Sequence, residues 1–186
     1  STSRRQRQMC IRDRMWIGHG KDGTRVSVKV PGPPGFQDVR LHREPHRPEL
    51  REIEVGDEVF DCTFFIEGSM RLVCALLDAE NRRRLLSINA EGELTLAGGM
   101  LQANISDAQL PRILPLLIAL CRRFDQPIDV VRRQTENALS EPEAGVRLRN
   151  LPLLIRQLPE DPRTIETLRA ARSHATPEIR LRAAME

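Results

Sequence analysis

The phrase Val146-Arg147-Leu148-Arg149 returns 33 residues later as Ile179-Arg180-Leu181-Arg182. An acidic, proline-bearing turn precedes each copy: Glu141-Pro142-Glu143 before the first, Thr176-Pro177-Glu178 before the second. Between the copies lie two runs of helical period, Val146–Leu158 and Thr164–Ser173, divided by Pro159-Glu160-Asp161-Pro162. A single amphipathic helix cannot hide its own apolar stripe. A helix, a turn, a second helix and a restart at fixed period hide it by stacking. Leu151, Leu154, Ile155 and Leu158 are therefore expected to meet Ile165 and Leu168 across an antiparallel helix pair.

Thr176-Pro177-Glu178-Ile179-Arg180 and, less closely, Glu143-Ala144-Gly145-Val146-Arg147 resemble the repeat openings of the bacterial HEAT-repeat family. The resemblance covers Ser140 to Glu186 and implies an α-solenoid, truncated in this chain, whose helix rows form an extended docking surface. Upstream, Phe60 to Gly68 followed by LLDAENRRRLL resembles an uncharacterised α+β domain found beside such repeats. That second resemblance implies no activity.

Before the tail the apolar residues recur with a period of two. In Met15 to Val30, Val26, Val28 and Val30 alternate with Ser27 and Lys29, and Asp22-Gly23 tolerates the positive φ of a hairpin turn. Pro31 to Gly35 (PGPPG) breaks the ladder, since proline donates no backbone hydrogen bond. Val39 to His42 reads as a short strand and His42 to Pro48 as a charged surface loop. Val59 to Glu67 (VFDCTFFIE) predicts one strand, with Phe60, Cys62, Phe64 and Ile66 on its buried face and Asp61, Thr63 and Glu67 opposite. Ser69 is expected to cap a helix burying Met70, Val73, Leu76 and Leu77, and Asp78 a second burying Leu85, Leu86 and Ile88. Leu94 to Ala97 and Met100 to Ile105 alternate again, joined through Gly98-Gly99. After Asp107 the period is helical, with a stripe of Leu110, Ile113, Leu114, Leu117, Cys121 and Phe124 and a kink expected at Pro115. The fold class is therefore α+β: an antiparallel sheet with two to three helices over 15–126, followed by a helical HEAT-like repeat segment over 127–186.

Residues 1–14, STSRRQRQMCIRDR, resemble translated sequencing-adapter sequence and are set apart as a non-native segment. The native N-terminus is then expected to lie outside the chain, which leaves a lost signal peptide open. That stretch holds five arginines and one aspartate, so it supplies the whole of the +3 formal charge. The other 24 basic and 25 acidic side chains nearly cancel, so the basic balance is no footprint of nucleic acid. Four cysteines are too few for a disulfide framework. No apolar run approaches the roughly 20 residues of a membrane-spanning helix. The expectation is a cytoplasmic protein.

The residue patterns of catalysis are missing. His42 and His46 are four apart, but Pro45 and Pro48 argue against a helix there, so two solvated loop histidines are expected and no metal site. Cys62, Cys74 and Cys121 fall on apolar stripes and read as buried thiols; nothing requires His19 to partner one. The carboxylate pairs Glu52/Glu54 and Glu141/Glu143 fall in turns or strand edges and read as solvated. Arg82-Arg83-Arg84 with Arg71, and Arg122-Arg123 with Arg132-Arg133, read as solvated helix faces. No catalytic residue, cofactor or metal ligand is expected. Arg147, Arg149, Arg180 and Arg182 recur at equal positions in the two copies. They form either a ladder on a docking surface or partners for the acidic turns beside them. The expected function is a non-catalytic protein-interaction or scaffold module with a protein partner. A nucleic-acid-binding helical repeat is the alternative, and a HEAT-like enzyme of the lyase or glycosylase type the second.

Overall fold

A computed structural model describes residues 14–20, 23–43 and 52–185. The rest of the Ser1–Arg14 segment, the hairpin residue Asp22, and Pro45, His46 and Pro48 lie outside the described residues. The described strands are β1 (Met15–Gly20), β2 (Gly23–Lys29), β3 (Arg40–Arg43), β4 (Phe64–Glu67), β5 (Glu93–Ala97) and β6 (Met100–Ile105). The helices are α1 (Glu58–Asp61), α2 (Met70–Leu76), α3 (Ala79–Glu91), α4 (Leu110–Phe124), α5 (Val130–Ser140), α6 (Ala144–Gln157), α7 (Pro162–Arg172) and α8 (Pro177–Met185). The fold is α+β, as the change of period implies.

The chain sorts into two units interleaved in sequence. One joins the segment ending at Arg43 to Arg84–Pro127; the other joins the segment ending at Arg83 to the stretch from Ile128 onward. The packing divides between Pro127 and Ile128, one residue from the expected boundary at 126/127, and also after Arg43 and after Arg83, so the segment ending at Arg83 supplies partners for the C-terminal helices.

In the first unit the strands run antiparallel in the order β1-β2-β6-β5-β3. Register aligns Val28 with Leu101, Leu101 with Leu96 and Leu96 with Leu41, an apolar row across four strands. Such cross-strand pairs are the unit of sheet stabilisation. α4 packs on β2 and buries Ile113, Leu117, Leu120 and Phe124. The buried face is therefore rotated from the expected one: Leu120 lies inside, while Leu114 and Cys121 are half-buried. Pro115 sits inside a helix that continues through it. In the hairpin Gly23 pairs with Gly20 and opens β2. A side chain there would overlap the Ile105 carbonyl, and its φ is +127°, so the close approach of β6 accounts for this glycine.

The second unit corrects the long strand expected over Val59–Glu67. Asp57 caps α1 by accepting from the Phe60 N–H, and Asp61 accepts from the N–H groups of Val55 and Gly56 at 2.9 and 2.8 Å. These local bonds favour a turn of helix over an extended chain. Only Phe64–Glu67 remains extended, and Cys62 is exposed instead of sharing a face with Phe60. Phe60 and Phe64 still pack, with ring centroids 5.0 Å apart. Ser69 occupies the cap position of α2 without a side-chain bond, whereas Asp78 accepts from the Asn81 N–H at 2.9 Å. Past Arg83 the same helix belongs to the first unit, where Leu85 and Ile88 are buried and Leu86 half-buried.

Val131, Ala138, Leu151, Leu154, Ala171, Ile179 and Ala183 form the core of the C-terminal helices, with Leu148, Ile155, Leu158 and Leu168 packed around it. Leu168 joins this core as expected, but Ile165 is 40% exposed. Thr164 and Thr167 take the inward positions, each four residues before Leu168 and Ala171 respectively, so the inward face of α7 is polar at its start. Among the described residues no helix is long and apolar enough to cross a membrane.

Candidate functional site

Residues two apart on a helix point about 200° from each other, so Arg147 and Arg149 cannot share a face. The same holds for Arg180 and Arg182. The four recurring arginines accordingly divide into two pairs with different surroundings.

Arg147 turns back over the preceding turn and donates to the carbonyls of Glu141 and Pro142, the latter at 2.9 Å. Arg180 does the same one repeat later, donating to the carbonyls of His174 and Ala175 at 2.8 and 2.9 Å. The spacing from guanidinium to carbonyls is six and five residues in both copies. These two arginines tie their helices to the turns, and they bond main-chain oxygens, not turn carboxylates.

Arg149 and Arg182 instead line a groove of about 500 Å³ on the α6 face. Met70, Leu148, Pro152 and Leu153 give it an apolar floor, and Arg156 lines it together with the other two arginines. Arg156 is exposed and forms no ion pair among the described residues. Heptad-like spacing explains the arrangement: 149, 152, 153 and 156 lie three and four residues apart on one face. The sequence does not single out Arg156, because it lies outside the repeated phrase Val146–Arg149. One wall comes from a backbone crossing. A side chain at Gly145 would overlap the Gly56 carbonyl, and Gly56 has φ +93°, so glycine at both positions lets the 53–56 segment touch the first turn of α6. One helical turn beyond Gly145, Arg149 donates to the Glu54 carboxylate at 2.8 Å.

Beneath this surface lies an ionic cluster that the sequence does not signal. Arg82, read from its Arg-rich neighbours as solvated, is 1% exposed. It donates to Asp57 at 2.7 Å, to Glu141 at 2.9 Å and to the Leu77 carbonyl at 2.6 Å. Burial works against its charge, but bonds to Glu141 and Asp57 outweigh that and hold its pKa above the ordinary value. Glu141, expected in solvent, is buried, and its other oxygen accepts the Ala79 N–H at the start of α3. Asn137 reaches the Cys74 carbonyl at 2.8 Å. Burial also pushes the Asp61 carboxyl up, against the two backbone bonds it accepts. All these groups are matched, which marks the cluster as structural.

The remaining candidates do not converge. His19 Nδ1 lies 2.8 Å from the Thr24 hydroxyl and 3.4 Å from Asp107, and the Thr24 hydroxyl also donates to Asp107. A catalytic triad uses the two imidazole nitrogens for nucleophile and acid separately; here both partners sit on one. His42 is half-buried and bonds the Arg43 carbonyl, while His46 lies outside the described residues. Cys74 and Cys121 are pushed up to about 12 by burial, so neither forms a thiolate at neutral pH. Among the described residues no group of three metal-ligating side chains occurs. No family model, curated protein or solved structure matches this chain.

Proposed function

We propose that the chain is a non-catalytic protein-interaction module, a HEAT-like helical segment joined to an α+β body, that docks an acidic segment of a partner protein along α6. The observation that carries this reading is the α6 groove: guanidiniums of Arg149, Arg156 and Arg182 around an apolar floor. Guanidinium stays charged at every accessible pH and presents a planar fork that suits carboxylate. The floor offers area for an aliphatic side chain, and together they match an acidic segment with apolar residues. The repeat reading is supported by Arg147 and Arg180, which make equivalent turn contacts, and by Val146 and Ile179, both buried. The exposed free thiol of Cys62 suits the reducing cytoplasm.

The nucleic-acid alternative uses the same cations. Two of its four ladder arginines are engaged with main-chain oxygens, and the described lining of the groove holds no aromatic ring for base stacking. The test is fluorescence anisotropy with a labelled Glu/Leu peptide and a single-stranded oligonucleotide of equal charge, at low and physiological salt. The peptide is expected to bind, and Arg149→Gln, Arg156→Gln and Arg182→Gln each to weaken it, while Arg163→Gln on α7 does not. Tighter oligonucleotide binding with a steep salt slope would transfer the assignment to nucleic acid.

A further inference from the structure

One arginine of the groove already engages a carboxylate. Glu54 reaches Arg149 at 2.8 Å, yet the glutamate side chain is 63% exposed and the arginine 39%. The segment presenting Glu54 is pinned on both sides: before it the Ile53 N–H donates to the Ile66 carbonyl at 2.9 Å, and after it Asp61 holds the N–H groups of Val55 and Gly56, while Gly56 meets Gly145 backbone to backbone. Its carboxylate is therefore delivered to Arg149 by fixed main chain. An exposed ion pair of this kind adds little stability, so the cost of releasing Glu54 from Arg149 is small.

We propose, resting on the docking function above, that Glu54 is a built-in stand-in for the partner's carboxylate. The partner is a linear acidic segment that sets an aliphatic side chain on Met70, Leu148 and Leu153. Its own carboxylate takes Arg149, and Glu54 swings into solvent. Arg156 receives the flanking acid. Glu54 thereby sets a threshold: a single carboxylate exchanges one ion pair for another with no gain. Only a segment that also covers the apolar floor, or reaches a second arginine, binds.

The experiment uses the full chain and two labelled synthetic peptides, one of Glu and Leu, the other of Glu and Gly, with wild type, Glu54→Gln, Arg149→Gln and the double variant. Glu54→Gln is expected to bind the Glu/Leu peptide more tightly than wild type by about 1.5- to fivefold, the range set by one surface ion pair. Arg149→Gln should weaken binding, and Glu54→Gln should bring no gain once Arg149 is gone. The Glu/Gly peptide should bind more weakly to every form. An unchanged melting midpoint for Glu54→Gln shows that the fold is retained. Equal affinity of wild type and Glu54→Gln, with Arg149→Gln still weakening, overturns the stand-in role while the groove reading survives. Absence of peptide binding to both wild type and Glu54→Gln overturns the groove reading and this inference with it.

Discussion

Deleting the Arg82 guanidinium would leave two carboxylates facing each other, Asp57 with 15% and Glu141 with 5% of its side chain exposed. A buried pair broken from one side costs about 3–5 kcal/mol, because the remaining charge keeps its desolvation penalty. Arg82→Ala is therefore expected to lower stability by about that much in urea denaturation. Arg83→Ala, one position along and exposed, should change it by about 0.5 kcal/mol or less. The pair also shows the limit of reading by composition. Arg82, Arg83 and Arg84 are one cluster in the text, and nothing local separates them. What selects Arg82 for burial is the arrival of Glu141, 59 residues away in sequence. Asp78 and Asp57, by contrast, act on helices only three residues ahead, so their capping role belongs to local chemistry. Asp78 was recognisable as a cap; Asp57 was hidden by the apparent strand after it.

At the scale of elements, the 33-residue echo makes a direct comparison possible. Arg147 and Arg180 bond equivalent carbonyls, but Arg147 is half-buried and also reaches Thr176, while Arg180 is exposed. Hydrogen bonds from a charged donor contribute about 1.5–3 kcal/mol where water is excluded, and exposed pairs less than about 1 kcal/mol. Arg147→Ala is thus expected to lower the thermal midpoint clearly and Arg180→Ala only slightly. Equal losses would mean that burial does not set the difference. Element identity was legible where one period ran unbroken, as in β2, β6 and α4. It failed at Val59–Glu67, where alternation continued across a helical turn held by Asp57 and Asp61. Face assignment failed more gently: α4 is rotated so that Leu120 replaces Cys121 inside, and α7 turns Thr164 and Thr167 inward in place of Ile165. Such rotations depend on the shape of the neighbour, which no single helix encodes.

For the molecule as a whole, the interleaving of the units has a measurable consequence. Residues 127–186 alone would leave the α5 face without its partners: Asn137 would lose the Cys74 carbonyl, Glu141 would lose Arg82 and the Ala79 N–H, and Gln134 would lose the Arg71 carbonyl. A fragment with that serial boundary is expected to show helical circular dichroism but no cooperative thermal transition, unlike the intact chain. A sharp transition at the midpoint of the intact chain would show that the C-terminal helices need nothing from residues 52–83. The amino-acid sequence by itself determined the α+β class, the extended and helical stretches in which one period runs unbroken, and the equivalence of Arg147 and Arg180, because periods and echoes act over a few residues. Tertiary structure decided which arginines are buried, which reach the groove, and that residues 52–83 pack with the C-terminal helices. Those outcomes depend on contacts across more than fifty residues, where the energy of one match is invisible until both sides have folded.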